Sequence, residues 1–223
     1  MTDEIGFKIL KQAGLVCDKS QLNASNTITG GLNSGIRLVE ADDTQYVIKT
    51  YPEDLMRRRL NTEFQFLTLA DNVGVQNVPK PIKKLLSLNV GVYSYLNGNK
   101  IHTATDANVL ASADFIIEIN QKMETVSNKF GLASDHFTSY ENLVESIERR
   151  LFSLRSSAQL HSEIYDQTVN ELYKKFQKIT YTKSAVKKEL NDNLRQMKQI
   201  VSPSDFGLHN ALQSEKTVQF LDF

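Results

Sequence analysis

The stretch Ser204-Asp205-Phe206-Gly207-Leu208-His209-Asn210 carries the spacing of polar residues on which our prediction of the fold depends. Its aspartate and asparagine are separated by four residues. After a predicted turn at Ser214-Glu215-Lys216, the β-like run Thr217–Phe223 contains a further carboxylate, Asp222, which we expect to share a strand face with apolar residues. A short hairpin would therefore bring this second carboxylate close to Asp205.

A strand lysine and a helix glutamate form a second group of polar residues. Lys49 lies inside the predicted strand Gln45–Tyr51, and Glu63 lies on the apolar stripe of the predicted helix Leu55–Asp71. Both charges are costly to bury unless they are paired. A strand lysine held by a helix glutamate is the arrangement with which kinases position ATP phosphates. The alternative is that both are surface side chains whose aliphatic stems lie along apolar neighbours.

The run Thr29-Gly30-Gly31-Leu32-Asn33-Ser34-Gly35 predicts a tight backbone turn, because glycine, asparagine and serine favour such turns. One interpretation is a loop whose backbone N–H groups cover phosphates. The other is an ordinary entry into a hairpin. The run matches neither the G-x-G-x-x-G nor the Walker A pattern, so taken alone it favours the hairpin.

The spacing Asp205-x4-Asn210 is that of a kinase catalytic loop, in which the aspartate accepts the hydroxyl proton and the asparagine holds a metal ion. This spacing is also common by chance, and Asp222 could equally cap a turn at a strand end. Mg²⁺ needs few carboxylates when phosphate oxygens complete its shell. Asn210 and Asp222 would therefore suffice in the presence of ATP.

The order of these features along the chain is more specific than any one of them. In this order the sequence resembles the aminoglycoside phosphotransferase and choline kinase superfamily, which shares the protein-kinase-like fold. The resemblance extends from Thr29 to Phe223. Its parts are the loop Gly30–Ser34, the lysine strand Tyr46–Lys49, the helix segment Leu60–Glu63 with the later Val78–Pro81, the hinge-like segment Val92–Gly98, the catalytic loop Ser204–Asn210 and the final Leu221–Phe223.

The resemblance implies a role for each matched residue. The implied cofactors are ATP, with GTP as the alternative, and Mg²⁺, and the implied partner is a small molecule that accepts phosphate on a hydroxyl. Asp205 would be the catalytic base, and Asn210 and Asp222 the metal ligands. The nucleotide would be bound by Gly31, Asn33, Ser34, Lys49, Glu63, Tyr95 and Leu96.

Two departures from the family pattern bear on activity. Pro203 stands where the family usually has a histidine that supports the loop backbone. The family also continues beyond its metal-binding aspartate into helices that complete the acceptor pocket, and we expect the C-terminal lobe here to lack them. We therefore keep two functions: an ATP-dependent phosphotransferase acting on a small-molecule hydroxyl, and a non-catalytic nucleotide-binding or interaction module.

The predicted fold class is α+β, a two-lobed protein-kinase-like fold. An N-terminal lobe, residues 1–96, would hold an antiparallel sheet, and a mostly helical C-terminal lobe, residues 97–223, would hold the catalytic loop. The polar segment 17–27 reads as a loop. Predicted helices of the second lobe span 106–129, 140–159, 162–179 and 183–200.

Composition limits the remaining classes of function. The 223 residues contain 26 basic and 26 acidic side chains, so net charge points to neither nucleic acid nor a membrane surface. A single cysteine excludes an internal disulfide framework. No run approaches the length of a membrane helix and the first residues do not form a signal peptide, so we expect a cytoplasmic protein.

Overall fold

In the computed structural model of the chain, the described residues are 4–28, 35–52, 56–133, 136–158, 163–180, 184–197, 200–203, 205–215 and 217–223. They group into two compact units, one of Met1–Gly131 with Ile200–Phe223 and the other of Leu132–Gln199. This division does not coincide with the predicted boundary after residue 96. The reason is that the segments on either side of that boundary share one hydrophobic core.

The first unit contains a five-stranded antiparallel sheet with strand order β1-β2-β3-β5-β4. This is the sheet predicted for the N-terminal lobe. Its strands are β1 (Leu22–Ile28), β2 (Gly35–Ala41), β3 (Thr44–Thr50), β4 (Pro81–Leu85) and β5 (Val90–Ser94).

Alternation along the central strands places two different cores on the two faces of this sheet. Ile48 of β3 and Val92 of β5 pack in one cluster with α1 (Glu4–Gln12), which contributes Leu10. Val47 and Tyr93 face the other cluster, where α2 (Met56–Asn72) contributes its apolar side chains. A lysine at position 49 therefore lies on the face that α2 covers.

The strand β1 is absent from the sequence prediction, which expected a loop over residues 17–27. Its residues are mostly polar, LNASNTI, and give only a weak apolar alternation. β1 forms because it is an edge strand that pairs with β2 from Ala24 opposite Glu40 to Ile28 opposite Ile36. Backbone pairing here outweighs weak local propensity.

The rest of the first unit carries the predicted catalytic segment. Its helix α3 (Asp106–Lys122) begins at the capping box of Thr105 and packs with a three-stranded antiparallel sheet. Three aromatic residues pack in this contact, with Phe115 of α3 stacked on Phe220 at 4.3 Å and on Phe206 at 5.8 Å. The strands are β6 (Asn99–Lys100), β7 (Ala211–Gln213) and β8 (Val218–Phe220).

The second unit is helical, as predicted. It contains α4 (Tyr140–Ala158), α5 (Glu163–Thr180) and α6 (Ser184–Gln196). α6 is joined to the start of α4 by Lys187, which contacts Glu141 at 2.5 Å, and by Asn191, whose side chain accepts from the Tyr140 N–H at 2.6 Å. In the described part of the chain, no helix has both the length and the apolar composition needed to cross a membrane.

Candidate functional site

Lys49 lies in the middle of the five-stranded sheet, opposite Ile36 on β2 and Gly91 on β5. Its ammonium donates to both carboxylate oxygens of Glu63 on α2, at 2.9 Å each. Lys49 is only 8% exposed and Glu63 only 7%. The two charges that the sequence analysis paired are therefore in direct contact, which satisfies both in a buried site.

The ammonium of Lys49 also contacts the carboxylate of Asp222. The expectation that Asp222 would sit on a strand face is wrong, because β8 ends at Phe220 and Asp222 has a left-handed backbone with φ of 66°. This conformation, which aspartate tolerates better than most residues, turns the chain out of the strand alternation. The Asp222 side chain keeps 45% of its surface exposed, so it can also contact a ligand.

The residues on each side fix Asp222 in this position. The Leu221 N–H donates to the Asn210 carbonyl at 2.8 Å. Phe223 stacks on Phe66 of α2, with ring centroids 4.5 Å apart and an interplanar angle of 13°. The segment around Asp222 is thus tied both to the predicted catalytic loop and to the helix that carries Glu63.

Two tyrosines that the sequence analysis did not select complete this cluster. The Tyr51 hydroxyl donates to Oε2 of Glu63 at 2.5 Å and lies 3.0 Å from the Tyr93 hydroxyl. Both tyrosines are buried. The alternation of β3, continued by one residue, puts Tyr51 on the same side as Lys49 and was the sequence signal for its place in the cluster. A tyrosine directly after a strand is too common for this signal to be specific.

Burial controls protonation in this cluster. Loss of hydration raises the pKa of Glu63, and the Lys49 ammonium opposes that effect. Burial, followed by the nearby charge of Glu63, raises the pKa of both Tyr51 and Tyr93 above the ordinary value of 10.0. Both phenols therefore keep their protons at neutral pH and can act as donors.

Gly91 makes room for this arrangement. A Cβ atom added to Gly91 would lie 2.6 Å from Cε2 and Cζ of the Tyr93 ring. The ring therefore lies against the bare backbone of the residue opposite Lys49. Any larger residue at position 91 would have to displace the Tyr93 ring.

The predicted catalytic loop forms a compact turn that ends in a short 3₁₀ helix, Leu208–Asn210. The Asn210 side-chain amide donates to the Asp205 carbonyl at 3.0 Å, and its backbone N–H donates to the Gly207 carbonyl at 2.9 Å. The Asp205 side chain is 76% exposed and lies 3.3 Å from Nε2 of His209. The carboxylate proposed as the base is thus accessible to a substrate.

Asn120 of α3 supports the segment that leads into this loop. Its side chain accepts from the Val201 N–H at 2.8 Å and donates to the Val201 carbonyl at 3.1 Å. Pro203, where the family pattern has histidine, is buried. The backbone before Asp205 is therefore held by an asparagine from a different element, a residue that the sequence analysis did not single out.

The hinge-like residues Tyr95 and Leu96 follow directly after β5 and are half-buried. The Tyr95 N–H donates to the Gln45 carbonyl at 3.3 Å. Among the described residues, no backbone hydrogen bond involves Leu96. Of the two backbone N–H groups, only that of Leu96 has no hydrogen-bond partner within the described residues. Gly31, Asn33 and Ser34, the predicted loop residues, lie outside the described residues.

The donors predicted for a metal ion fit Mg²⁺ in number and type. Because the Asn210 side-chain nitrogen donates to the Asp205 carbonyl, its amide oxygen would be the atom offered to a metal ion, in addition to the carboxylate of Asp222. Within the described ranges, no group of three or more histidine, cysteine, aspartate or glutamate side chains could hold a metal on its own. Mg²⁺ at this site would need phosphate oxygens to complete its shell.

The sheet with its lysine–glutamate pair, the helical region, and the Asp-x4-Asn loop followed by Asp222 together define a protein-kinase-like fold. More particularly, the fold is that of the aminoglycoside phosphotransferases and choline kinases, as three solved structures show. APH(2'')-Ib, an ADP-bound aminoglycoside phosphotransferase, superimposes with a TM-score of 0.65 at 17% identity. A choline kinase from Cryptosporidium parvum superimposes with a TM-score of 0.56 at 12% sequence identity. A macrolide 2'-phosphotransferase from Brachybacterium faecium superimposes with a TM-score of 0.54 at 14% sequence identity.

These alignments cover nearly all of this chain but only part of the others. They include 100%, 98% and 96% of this chain and 70%, 63% and 69% of the three solved chains, respectively. No protein-family model matches the sequence, and no curated protein does. At such low identities the likeness establishes the fold, while the activity has to be argued from the site.

Proposed function

We propose that the chain carries the nucleotide site and catalytic loop of an ATP-dependent phosphotransferase, which transfers the γ-phosphate to a hydroxyl of a small molecule. The observation that carries this proposal is the buried Lys49 ammonium, held by Glu63 and in contact with the partly exposed Asp222. In a protein-kinase-like fold this is where a cation can meet the phosphates of ATP.

Each predicted residue has a role in this reaction. Lys49, oriented by Glu63, would bind the α- and β-phosphates. Asp205 would accept the proton of the acceptor hydroxyl, whose oxygen forms a bond to the γ-phosphorus as the bond to the β,γ-bridging oxygen breaks and ADP leaves. Catalysis would consist mainly of positioning and charge neutralisation. The accessibility of the Asp205 side chain supports this role.

Mg²⁺ would be held by Asn210 and Asp222 and would neutralise charge on the phosphates. The adenine would meet the backbone of Leu96, whose N–H has no partner in the described part of the chain, in preference to the Tyr95 N–H, which is bonded to Gln45. ADP in the solved aminoglycoside phosphotransferase supports ATP as the nucleotide, with GTP as the alternative. The predicted loop residues Gly31, Asn33 and Ser34 would cover the phosphates, and residues 1–96 and 97–223 would form the two lobes.

Thermal unfolding with Mg-ATP and Mg-GTP tests nucleotide binding directly. A ligand at a hundredfold excess over its Kd stabilises the native state by about 2.7 kcal/mol, which corresponds to a rise in Tm of roughly 5–10 °C for a chain of this size. The matched variant Lys49→Met should lose most of this rise. If neither nucleotide raises the Tm of the parent chain, the proposed function is wrong for this chain.

Turnover is tested by following ADP release with a panel of hydroxyl compounds and identifying the phosphorylated product by mass spectrometry. Asp205→Asn, which keeps the side chain's shape, should lower turnover by about 10²–10⁴-fold and leave nucleotide affinity at the parent value. Turnover near the parent value in this variant would show that Asp205 is not the base.

A second candidate is a module that binds nucleotide without transferring phosphate. The buried Pro203 favours it, because proline cannot donate the hydrogen bonds of the family's histidine. This candidate predicts a nucleotide-dependent rise in Tm with no product from any acceptor. A phosphorylated product that disappears in Asp205→Asn would exclude it.

A further inference from the structure

The hydroxyls of Tyr51 and Tyr93 form a hydrogen-bonded chain that ends on the lysine-binding glutamate. Tyr51 donates to Oε2 of Glu63, so its single proton is committed to the carboxylate. The proton between the two phenols must therefore come from Tyr93, whose hydroxyl is 3.0 Å away. The chain runs in one direction, from Tyr93 through Tyr51 to Glu63, and such chains strengthen each member bond.

This chain gives Glu63 an anchor that does not depend on Lys49. Tyr51 directly follows β3, and its N–H donates to the Asn89 carbonyl at 2.9 Å. Glu63 on α2 is therefore bonded to this part of the sheet twice, once through the lysine ammonium and once through the tyrosine hydroxyl. Only the lysine has to turn toward a phosphate, and the tyrosine bond can persist when it does.

The backbone at Gly91 leaves the space that Tyr93 needs to reach Tyr51. Tyr93 reaches Tyr51 because its ring lies against Gly91, where a Cβ would collide with it. Tyr93 also packs against Phe64, the residue after Glu63, with ring centroids 5.9 Å apart. Both phenols are at most 4% exposed, so water does not compete for these bonds.

We propose that Tyr51 is a positioning residue for the Lys49 ammonium, acting through Glu63 and supported by Tyr93. The proposal rests on the proposed function, since it concerns how the lysine meets the nucleotide phosphates. Without the Tyr51 hydroxyl, the lysine that Glu63 has to orient would be its one remaining hydrogen-bond partner among the residues described. The lysine, which two carboxylates contact, is then less well directed toward phosphate.

The test is a set of Mg-ATP titrations by calorimetry on the whole chain. Tyr51→Phe removes one hydroxyl and should weaken Mg-ATP binding roughly tenfold, the effect of one hydrogen bond to a charged group. Tyr93→Phe, one bond further away, should weaken it by roughly threefold. Tyr46→Phe is the matched control, because Tyr46 lies on β3 and packs in the opposite core cluster. The Tyr46→Phe variant should bind Mg-ATP with the same affinity as the parent.

A purely structural role is separated by repeating the change in a Lys49→Met background, with folding of each variant checked by circular dichroism. If Tyr51 acts through the ammonium, Tyr51→Phe adds no further loss of affinity in that background. An equal loss in both backgrounds would overturn the proposal, as would parent-like binding by Tyr51→Phe while the parent binds Mg-ATP. Failure of the parent to bind Mg-ATP would instead overturn the proposed function, and the role of Tyr51 with it.

Discussion

The ammonium of Lys49 contacts the carboxylate of Asp222, which lies 173 positions later in the chain. The same ammonium is bonded to Glu63, so one cation is shared by two carboxylates. Glu63 is buried and has a further bond to Tyr51, whereas Asp222 is partly exposed. Asp222 is therefore the carboxylate that can be drawn away by a metal ion.

Asp222→Asn should weaken the magnesium dependence of nucleotide binding. Asparagine tolerates the left-handed backbone of this position, so the variant changes charge and leaves the chain path intact. In the parent, Mg²⁺ should tighten ATP binding, and in the variant this gain should fall by about tenfold or more, the loss expected for one charged ligand. Calorimetric titrations with Mg²⁺ and with a chelator measure the difference.

Asp43→Asn is the matched control for this prediction. Asp43 has a similar left-handed φ of 61°, against 66° for Asp222, and lies in the turn between β2 and β3. In the Asp43→Asn variant, Mg²⁺ should tighten ATP binding as much as it does in the parent. A full magnesium response in Asp222→Asn would contradict the assignment of Asp222 as a ligand.

Gly91→Ala should destabilise the fold by about 1–3 kcal/mol, the usual cost of overpacking. The added methyl group would displace the Tyr93 ring, which lies 2.6 Å from the Cβ position. Urea unfolding measures the change. Gly35→Ala, on β2 of the same sheet, is the control because its Cβ would meet only Thr50 Cβ, at 3.9 Å. The idea fails if both substitutions have the same effect.

Asn120→Ala should lower the free energy of unfolding by about 1–3 kcal/mol, since it leaves the backbone N–H and carbonyl of Val201 without their partner. It should also lower turnover more than nucleotide affinity, because the segment it releases leads to Asp205. Gln121→Ala, at the next and exposed position of α3, should change neither. Stability and turnover equal to those of Gln121→Ala would show that the Val201 contact has no role.

Tyr51 should make the protein sensitive to alkaline pH. Its pKa is raised in the folded state above the ordinary 10.0, so above pH 10 the unfolded chain loses this proton first. Stability must then fall as pH rises. In Tyr51→Phe the slope between pH 10 and 11 should be smaller by up to about 1.4 kcal/mol per pH unit. Urea unfolding across this range gives the slope, and one identical to the parent's would contradict a buried, neutral Tyr51.

Residues whose chemistry conflicts with their local pattern could be predicted from the sequence. Lys49 on a sheet face and Glu63 on an apolar helix stripe stood out because burial of each charge requires the other. The contact of Asp222 with Lys49 could not be predicted, since it depends on a left-handed residue after β8. Tyr51 and Tyr93 were missed because tyrosine in or beside a strand fits its surroundings without conflict.

The elements of the fold also differ in how well the sequence predicts them. The helices α3 to α6 begin at or next to the predicted residues, because apolar periodicity over many residues is a strong local signal. Two of them end earlier than predicted, α3 at Lys122 instead of residue 129 and α6 at Gln196 instead of residue 200. The strand β1 was not predicted, since its polar residues are ordered by the pairing with β2. A strand that is ordered mainly by its pairing partner shows only a weak strand pattern in its own residues.

The three charges of the cluster also differ in how they come together as the chain folds. Lys49 and Glu63 are 14 positions apart, so a strand and the helix after it can join them early. The contact with Asp222 closes a loop of 173 positions and has to wait until distant segments meet. A half-assembled cation site, open to solvent and lacking its second carboxylate, should therefore precede the native state during refolding.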